Sequence, residues 1–196
     1  MAESSSDAAV APSSQQFQLP QFDLPQFELP QFDPPNLQIT VSDGLAGRDV
    51  AVAEHRPVRY ALLLVDGSSR NNPGKGGAGG VLFESDAVGS KGRRLTHFKH
   101  ELGRATSNEA EYKALIIGMR EALNHGVTHL TAKSDSQLVV NQVHGIERAH
   151  APNLIPLCEE ARRLSKQFIS FTLVHIPGKS NIEADALAKE ASRANG

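Results

Sequence analysis

Apolar and polar positions divide the chain into a patterned part and an unpatterned one. From Tyr60 onward, apolar residues recur at strand or helix periods; before it they do not. Leu62 to Val65 is an unbroken apolar run that ends at Asp66 and meets turn signals at Gly67 and Asn72-Pro73-Gly74, which predicts a buried strand over about 59–66. A Gly-rich turn leads to a second strand near 78–85, and VGSKGRRLTHFKH predicts a third, in a meander, near 88–100. Thr106-Ser107-Asn108-Glu109 has the form of a capping box. The helix it opens carries Ala110, Ala114, Ile117 and Leu123 at helical spacing and stops near His125-Gly126. A fourth strand is expected over 127–134, a short helix from Asp135-Ser136 to just before Gly145, and a second helical stretch from Pro152 to Gln167. Phe168 to Ile176 predicts a fifth strand, Pro177-Gly178 turns the chain, and Ser180-Asn181-Ile182-Glu183 reads as another capping box before the last helix. The order β-β-β-α-β-α-α-β-α implies an α/β fold, a mixed five-stranded sheet with helices on both faces. Ligands of open sheets sit off the carboxyl ends of parallel strands, where Asp66 and Asp135 fall.

The first part of the chain follows another rule. Residues 16–35 repeat QFQLP, QFDLP, QFELP and QFDPP. Proline every fifth residue forbids continuous helix, and the stretch is too short for a stacked solenoid. It reads as an extended, largely disordered arm, either a spacer or a docking segment that presents Phe17, Phe22, Phe27 and Phe32 to a protein partner. Residues 36–57 hold LQITV, a possible short strand, and the turn-rich DGLAGRD. The expected division is an acidic arm over 1–57 and a catalytic domain over 58–196.

Charge sharpens that division. Residues 1–57 hold two basic against eight acidic residues, and residues 58–196 hold 18 basic against 14 acidic. The second part is therefore the candidate for a polyanionic partner. No apolar run approaches the roughly 18 residues of a membrane span. The N-terminus lacks the pattern of a secretory or transit peptide. Cys158 is the single cysteine and reads as a small helix residue, so an intracellular home, cytoplasmic or nuclear, is expected. A monomer is the expected state.

Candidate chemistry begins at Asp66. A carboxylate that ends a buried strand is costly unless something pairs with it, and Gly67, Ser68 and Ser69 supply no basic partner. A cation is therefore expected there. Gly74, Gly76 and Gly79 fit the dinucleotide pattern GxGxxG, but strand-forming Val81-Leu82-Phe83 follows where that motif needs a helix. These glycines are read as turn and bulge residues, with the Asn72-Pro73-Gly74 backbone free to approach a phosphate. Glu109 is explained by its capping box; Glu111, about 200° around the helix from it, is not. Asp135 taken alone reads as an N-cap, Asp185 as an exposed helix Asp, and Glu183 as the capping-box partner of Ser180. His97 and His100 show no metal-ligand spacing.

Together these pieces are specific. DGSSRNNPG (66–74), TSNEAEY (106–112), SDSQLVVNQ (134–142) and HIPGKSNIEADALA (175–188) stand in the order and spacing of one family. Residues 60–193 resemble a type 1 ribonuclease H. The resemblance implies the ribonuclease H-like fold and makes Asp66, Glu111, Asp135 and Asp185 the catalytic, metal-binding carboxylates, with the bridging role at Asp66. It implies two Mg²⁺ ions, with Mn²⁺ able to substitute; a set of hard oxygen ligands without cysteine disfavours zinc. It places the family's mobile histidine at His175 and nucleic-acid contacts at Asn72, Asn108 and Gln137. The implied activity is Mg-dependent endonucleolytic hydrolysis of the RNA strand of an RNA–DNA hybrid. The alternative is a non-catalytic domain of the same fold that binds nucleic acid or acts as an adaptor. This chain departs from well-known members in having no Trp and only the short HGIERAHAP between its middle helices, so an aromatic, basic handle is missing.

Overall fold

The computed structural model describes residues 57–193. The arm, its QFxLP repeats and the LQITV segment lie outside the described residues. Five strands and four helices follow in the predicted order: β1 (Tyr60–Ser69), β2 (Gly74–Glu84), β3 (Arg94–Ala105), α1 (Ser107–Asn124), β4 (His129–Ser134), α2 (Gln137–His144), α3 (Ile155–Ser165), β5 (Ser170–His175) and α4 (Ile182–Arg193), with one 3₁₀ turn over Gly178–Ser180. The sheet order is β3-β2-β1-β4-β5. β1, β2 and β3 pair antiparallel, while β4 runs parallel to both β1 and β5.

The unbroken apolar run of β1 is explained by burial on both faces. Leu63 and Val65 join the larger core with Tyr112, Leu115, Met119 and Leu130; Leu62 and Leu64 join Val81, Phe83 and Ala184 beneath α4. Alternation of side chains along a strand sends successive residues into opposite cores. α1 starts as its sequence predicts: Thr106 Oγ1 accepts from Glu109 N at 3.2 Å, and Glu109 Oε2 accepts from Thr106 N at 2.7 Å.

Several boundaries differ from expectation for physical reasons. The glycines from Gly74 to Gly80 are strand residues of β2, with an irregularity in pairing between Gly76 and Gly77. Their small size is used by α4: a Cβ on Gly77 would lie 2.3 Å from Ala188 O, and one on Gly79 would lie 2.3 Å from Ala188 N. β3 starts at Arg94 because the preceding residues form a turn in which Asp86 Oδ1 accepts from Val88 N and Ser90 N at 3.1 and 2.9 Å. α3 starts at Ile155, with Pro156 in its first turn where the missing N–H costs nothing.

Two cap assignments also change. Ser136, not Asp135, caps α2, accepting from Val139 N at 3.5 Å. Glu183 does not serve Ser180; it pairs with Lys91 at 2.6 Å across to the turn before β3. Asp135 is thereby left for another task.

Candidate active site

β1 and β4 deliver two carboxylates side by side. Their last paired residues are Leu64 and Lys133; two positions further along the chain stand Asp66, still in β1, and Asp135, just past the end of β4. α1 delivers the third from above. Gly67 comes so close to α1 that a Cβ there would lie 2.1 Å from Glu111 N. The same approach lets Gly67 N donate to Glu111 Oε2 at 3.2 Å. Asp66, Glu111 and Asp135 each offer an oxygen, and the three oxygens lie within 4.8 Å of one another.

Such a cluster is unfavourable on its own. Asp66 is 6% exposed, and burial together with Asp135 pushes its carboxyl up to about 8. Burial and the charge of Asp66 push Glu111 up to about 9, against the Gly67 hydrogen bond. Asp185 lies outside the group of three oxygens; its charge raises both acids further. Its own carboxylate accepts from Lys189 Nζ at 2.8 Å, one turn along α4. Crowded, desolvated carboxylates of this kind fit a hard divalent cation. Oxygens that share an ion with bonds of roughly 2.0–2.1 Å stand up to about 4.2 Å apart, so small side-chain adjustments close the set. Hard oxygen donors favour Mg²⁺ or Mn²⁺ over softer metals.

The remaining candidates lie around this cluster. His175 is the exposed last residue of β5, paired in register with Ser134, the residue before Asp135. Asn72 Oδ1 accepts from Ser107 N at 2.9 Å, which fixes the β1–β2 turn against the start of α1 beside exposed Asn108. The same turn holds the cis Asn72–Pro73 bond and Asn71 at φ 62°. Gln137 is exposed at the start of α2, and its Nε2 donates to Asn141 Oδ1 at 2.7 Å.

Two features escape a reading of the sequence. A cleft of about 400 Å³ beside the turn is lined by Arg70, Asn71, Pro73, Gly74, Lys75 and Arg104, so three cations face one space. Asn181 is fully buried, with Nδ2 donating to Val65 O at 2.8 Å and to Asp135 Oδ1 at 3.0 Å. The one sequence signal for Asn181 was its place a helical turn before Asp185.

Residues 64–191 match the protein family described as reverse transcriptase-like. Ribonuclease HI of Halobacterium salinarum is 38% identical over 126 residues, covering 64% of this chain and 61% of that protein. Among solved structures, the N-terminal RNase H domain of Rv2228c from Mycobacterium tuberculosis, a fusion with maltose-binding protein, is 36% identical with a TM-score of 0.63, covering 68% of this chain and 94% of that one. LC11-RNase H1, solved in complex with an RNA/DNA hybrid, is 28% identical with a TM-score of 0.60, covering 66% and 94%. This chain spans 35% of the length of the curated mycobacterial relatives it matches. The chain belongs to the ribonuclease H family. Among the described residues no helix is long and apolar enough to cross a membrane.

Proposed function

We propose that the domain is an endonuclease that hydrolyses the RNA strand of RNA–DNA hybrids, giving 5′-phosphate and 3′-hydroxyl ends. The observation that carries this reading is the convergence of Asp66, Glu111 and Asp135 oxygens within 4.8 Å from three separate elements. The ribonuclease HI relative and the hybrid-bound LC11 structure support the choice of substrate. Asp66, Glu111, Asp135 and Asp185 would hold two Mg²⁺ ions, or Mn²⁺ in their place. When bound, a pair of divalent ions activates water and stabilises charge on the attacking and leaving oxygens.

The protein groups have distinct tasks. Asp66 and Glu111 would give up their protons to a bound cation, because opposite charge lowers the pKa values that burial has raised. Asp185 joins them by releasing Lys189, an exposed partner that costs little to lose. His175, exposed beside the end of β4, carries a proton to or from the reacting phosphate. Asn72, Asn108 and Gln137 line the approach with amides that both donate and accept, which suits the 2′-hydroxyl that distinguishes RNA from DNA. Arg70, Lys75 and Arg104 meet backbone phosphate, so cleavage is largely independent of sequence.

Residues 58–196 form the catalytic unit in this reading, and residues 1–57 an arm that serves as a spacer or recruits a protein partner. The protein acts as a monomer in a reducing intracellular compartment, cytoplasmic or nuclear, which suits a single buried Cys158. The test is cleavage of a labelled hybrid by wild type and by Asp135→Asn, with and without Mg²⁺. Metal-dependent cleavage by wild type alone is expected. A wild type that binds the hybrid with Mg²⁺ and leaves it intact would make this a binding domain instead.

A further inference from the structure

We infer that Asn181 is a positioning residue that sets the spacing between Asp66 and Asp135 and so prepares the cation site. The inference rests on the nuclease reading above and gives a task to a residue for which the sequence offered only a place in a cap before the last helix. Asn181 stands immediately before α4, where an asparagine ordinarily caps a helix by accepting a backbone N–H through its Oδ1. Here Oδ1 is buried and has no hydrogen-bond partner. Capping therefore does not explain the side chain.

Its Nδ2 does. One hydrogen goes to Val65 O at 2.8 Å and the other to Asp135 Oδ1 at 3.0 Å. Val65 O belongs to the peptide group that leads into Asp66. One amide thus ties the end of β1 to the carboxylate that follows β4. Both acceptors are distant in sequence, 116 and 46 residues away. The other oxygen of Asp135 faces the same turn, where Gly178 leaves it room: a Cβ there would lie 3.0 Å from Asp135 Oδ2. The 178–181 turn therefore borders both oxygens of one carboxylate. Groups of this kind behind a metal ligand fix its orientation, and their loss typically costs about 10–100-fold in metal affinity or activity.

Two variants of the full chain test this. Asn181→Leu keeps the branched outline and removes the donors. Gly178→Ala acts on Asp135 from the other side. Each is titrated with Mg²⁺ in hybrid cleavage, and each is melted without substrate at rising Mg²⁺ and Mn²⁺. Asn181→Leu is expected to raise the half-saturating Mg²⁺ concentration by about 10-fold or more with KM for hybrid unchanged, and to shrink the metal-induced rise in Tm. Gly178→Ala is expected to move both in the same direction. Folded variants with wild-type metal dependence and a wild-type rise in Tm would overturn the inference. If Asn181→Leu does not fold, Gly178→Ala decides alone. If wild type does not cleave, the nuclease reading fails, and the melts still decide whether Asn181 prepares a cation site.

Discussion

Gly67 N donates to Glu111 Oε2 at 3.2 Å, although 44 residues separate them. The bond exists because β1 and α1 touch where neither has a side chain in the way. A Cβ on Gly67 would meet only backbone, with Glu111 N at 2.1 Å and Ala110 C at 2.2 Å, and backbone cannot rotate aside as a side chain can. Gly67→Ala is expected to force α1 away from β1. Overpacking of this kind costs about 1–3 kcal/mol, occasionally more. A lowered Tm and loss of hybrid cleavage greater than the unfolded fraction explains are the expected results. Wild-type values of both would contradict the packing described.

The crowded carboxylates make stability depend on pH in an uncommon direction. Asp66 and Glu111 titrate near 8 and 9 in the metal-free fold, against ordinary values of 3.8 and 4.5. Between the two ranges the unfolded chain has lost protons that the fold retains, so stability falls as pH rises. The contribution is fully present below about pH 4 and is lost progressively as pH climbs through 8 to 9. Metal-free protein is therefore expected to show a lower Tm at pH 8 than at pH 6. Mg²⁺ competes with those protons, so its stabilising effect is expected to grow over the same interval. Thermal melts in EDTA and in Mg²⁺ across this range measure both slopes. Asp66→Asn is expected to flatten the metal-free slope.

Much of the fold was legible because its signals are local. The apolar run before Asp66, the capping box at Thr106 and the turn at Pro177-Gly178 each state an element within a few residues. The missed features depend on contacts across the chain. Gly77 and Gly79 read as turn residues until α4 is laid on them. The beginning of β3 was obscured by Asp86, whose side chain holds the preceding turn by bonds that periodicity does not reveal. At the site, Asp66, Glu111 and Asp135 were found through their motifs, and the fold gathers these three. Asp185 belongs to the same motifs and stands apart, held by Lys189. Asn181 was hidden because a residue before a helix already has an ordinary explanation, and its partners lie on β1 and beside α2.

Tyr112 shows how tightly the helical side of the sheet is built. It is fully buried, and its hydroxyl donates to Gln142 Oε1 at 2.8 Å, joining α1 to α2. Burial holds the phenol well above its usual range, so it remains a donor throughout. Tyr112→Phe removes the donor and leaves a buried amide oxygen without its partner. The expected loss is about 1–3 kcal/mol, read by urea denaturation with an unchanged m-value. A Gln142→Leu, Tyr112→Phe double variant is expected to recover part of it, since an apolar pair leaves nothing unsatisfied.

In the proposed function the cleft of Arg70, Lys75 and Arg104 serves binding and the carboxylates serve chemistry. All three lie at the β1–β2 turn and the end of β3, and none touches the carboxylate cluster through a described hydrogen bond. Phosphate contacts hold a duplex in place without reading its sequence, and each contributes to the salt dependence of binding through released counterions. Lys75→Ala and Arg70→Ala are therefore expected to raise the Kd for hybrid by similar factors on unrelated sequences. Each should reduce the slope of log K against log salt by about 1. Because the proposed mechanism assigns the cations and the reacting phosphate to the carboxylates, kcat at saturating hybrid should change much less than KM. Binding isotherms at several salt concentrations, with Asp135→Asn to block turnover, provide the slope. An unchanged slope in both variants would place the duplex on another face of the domain.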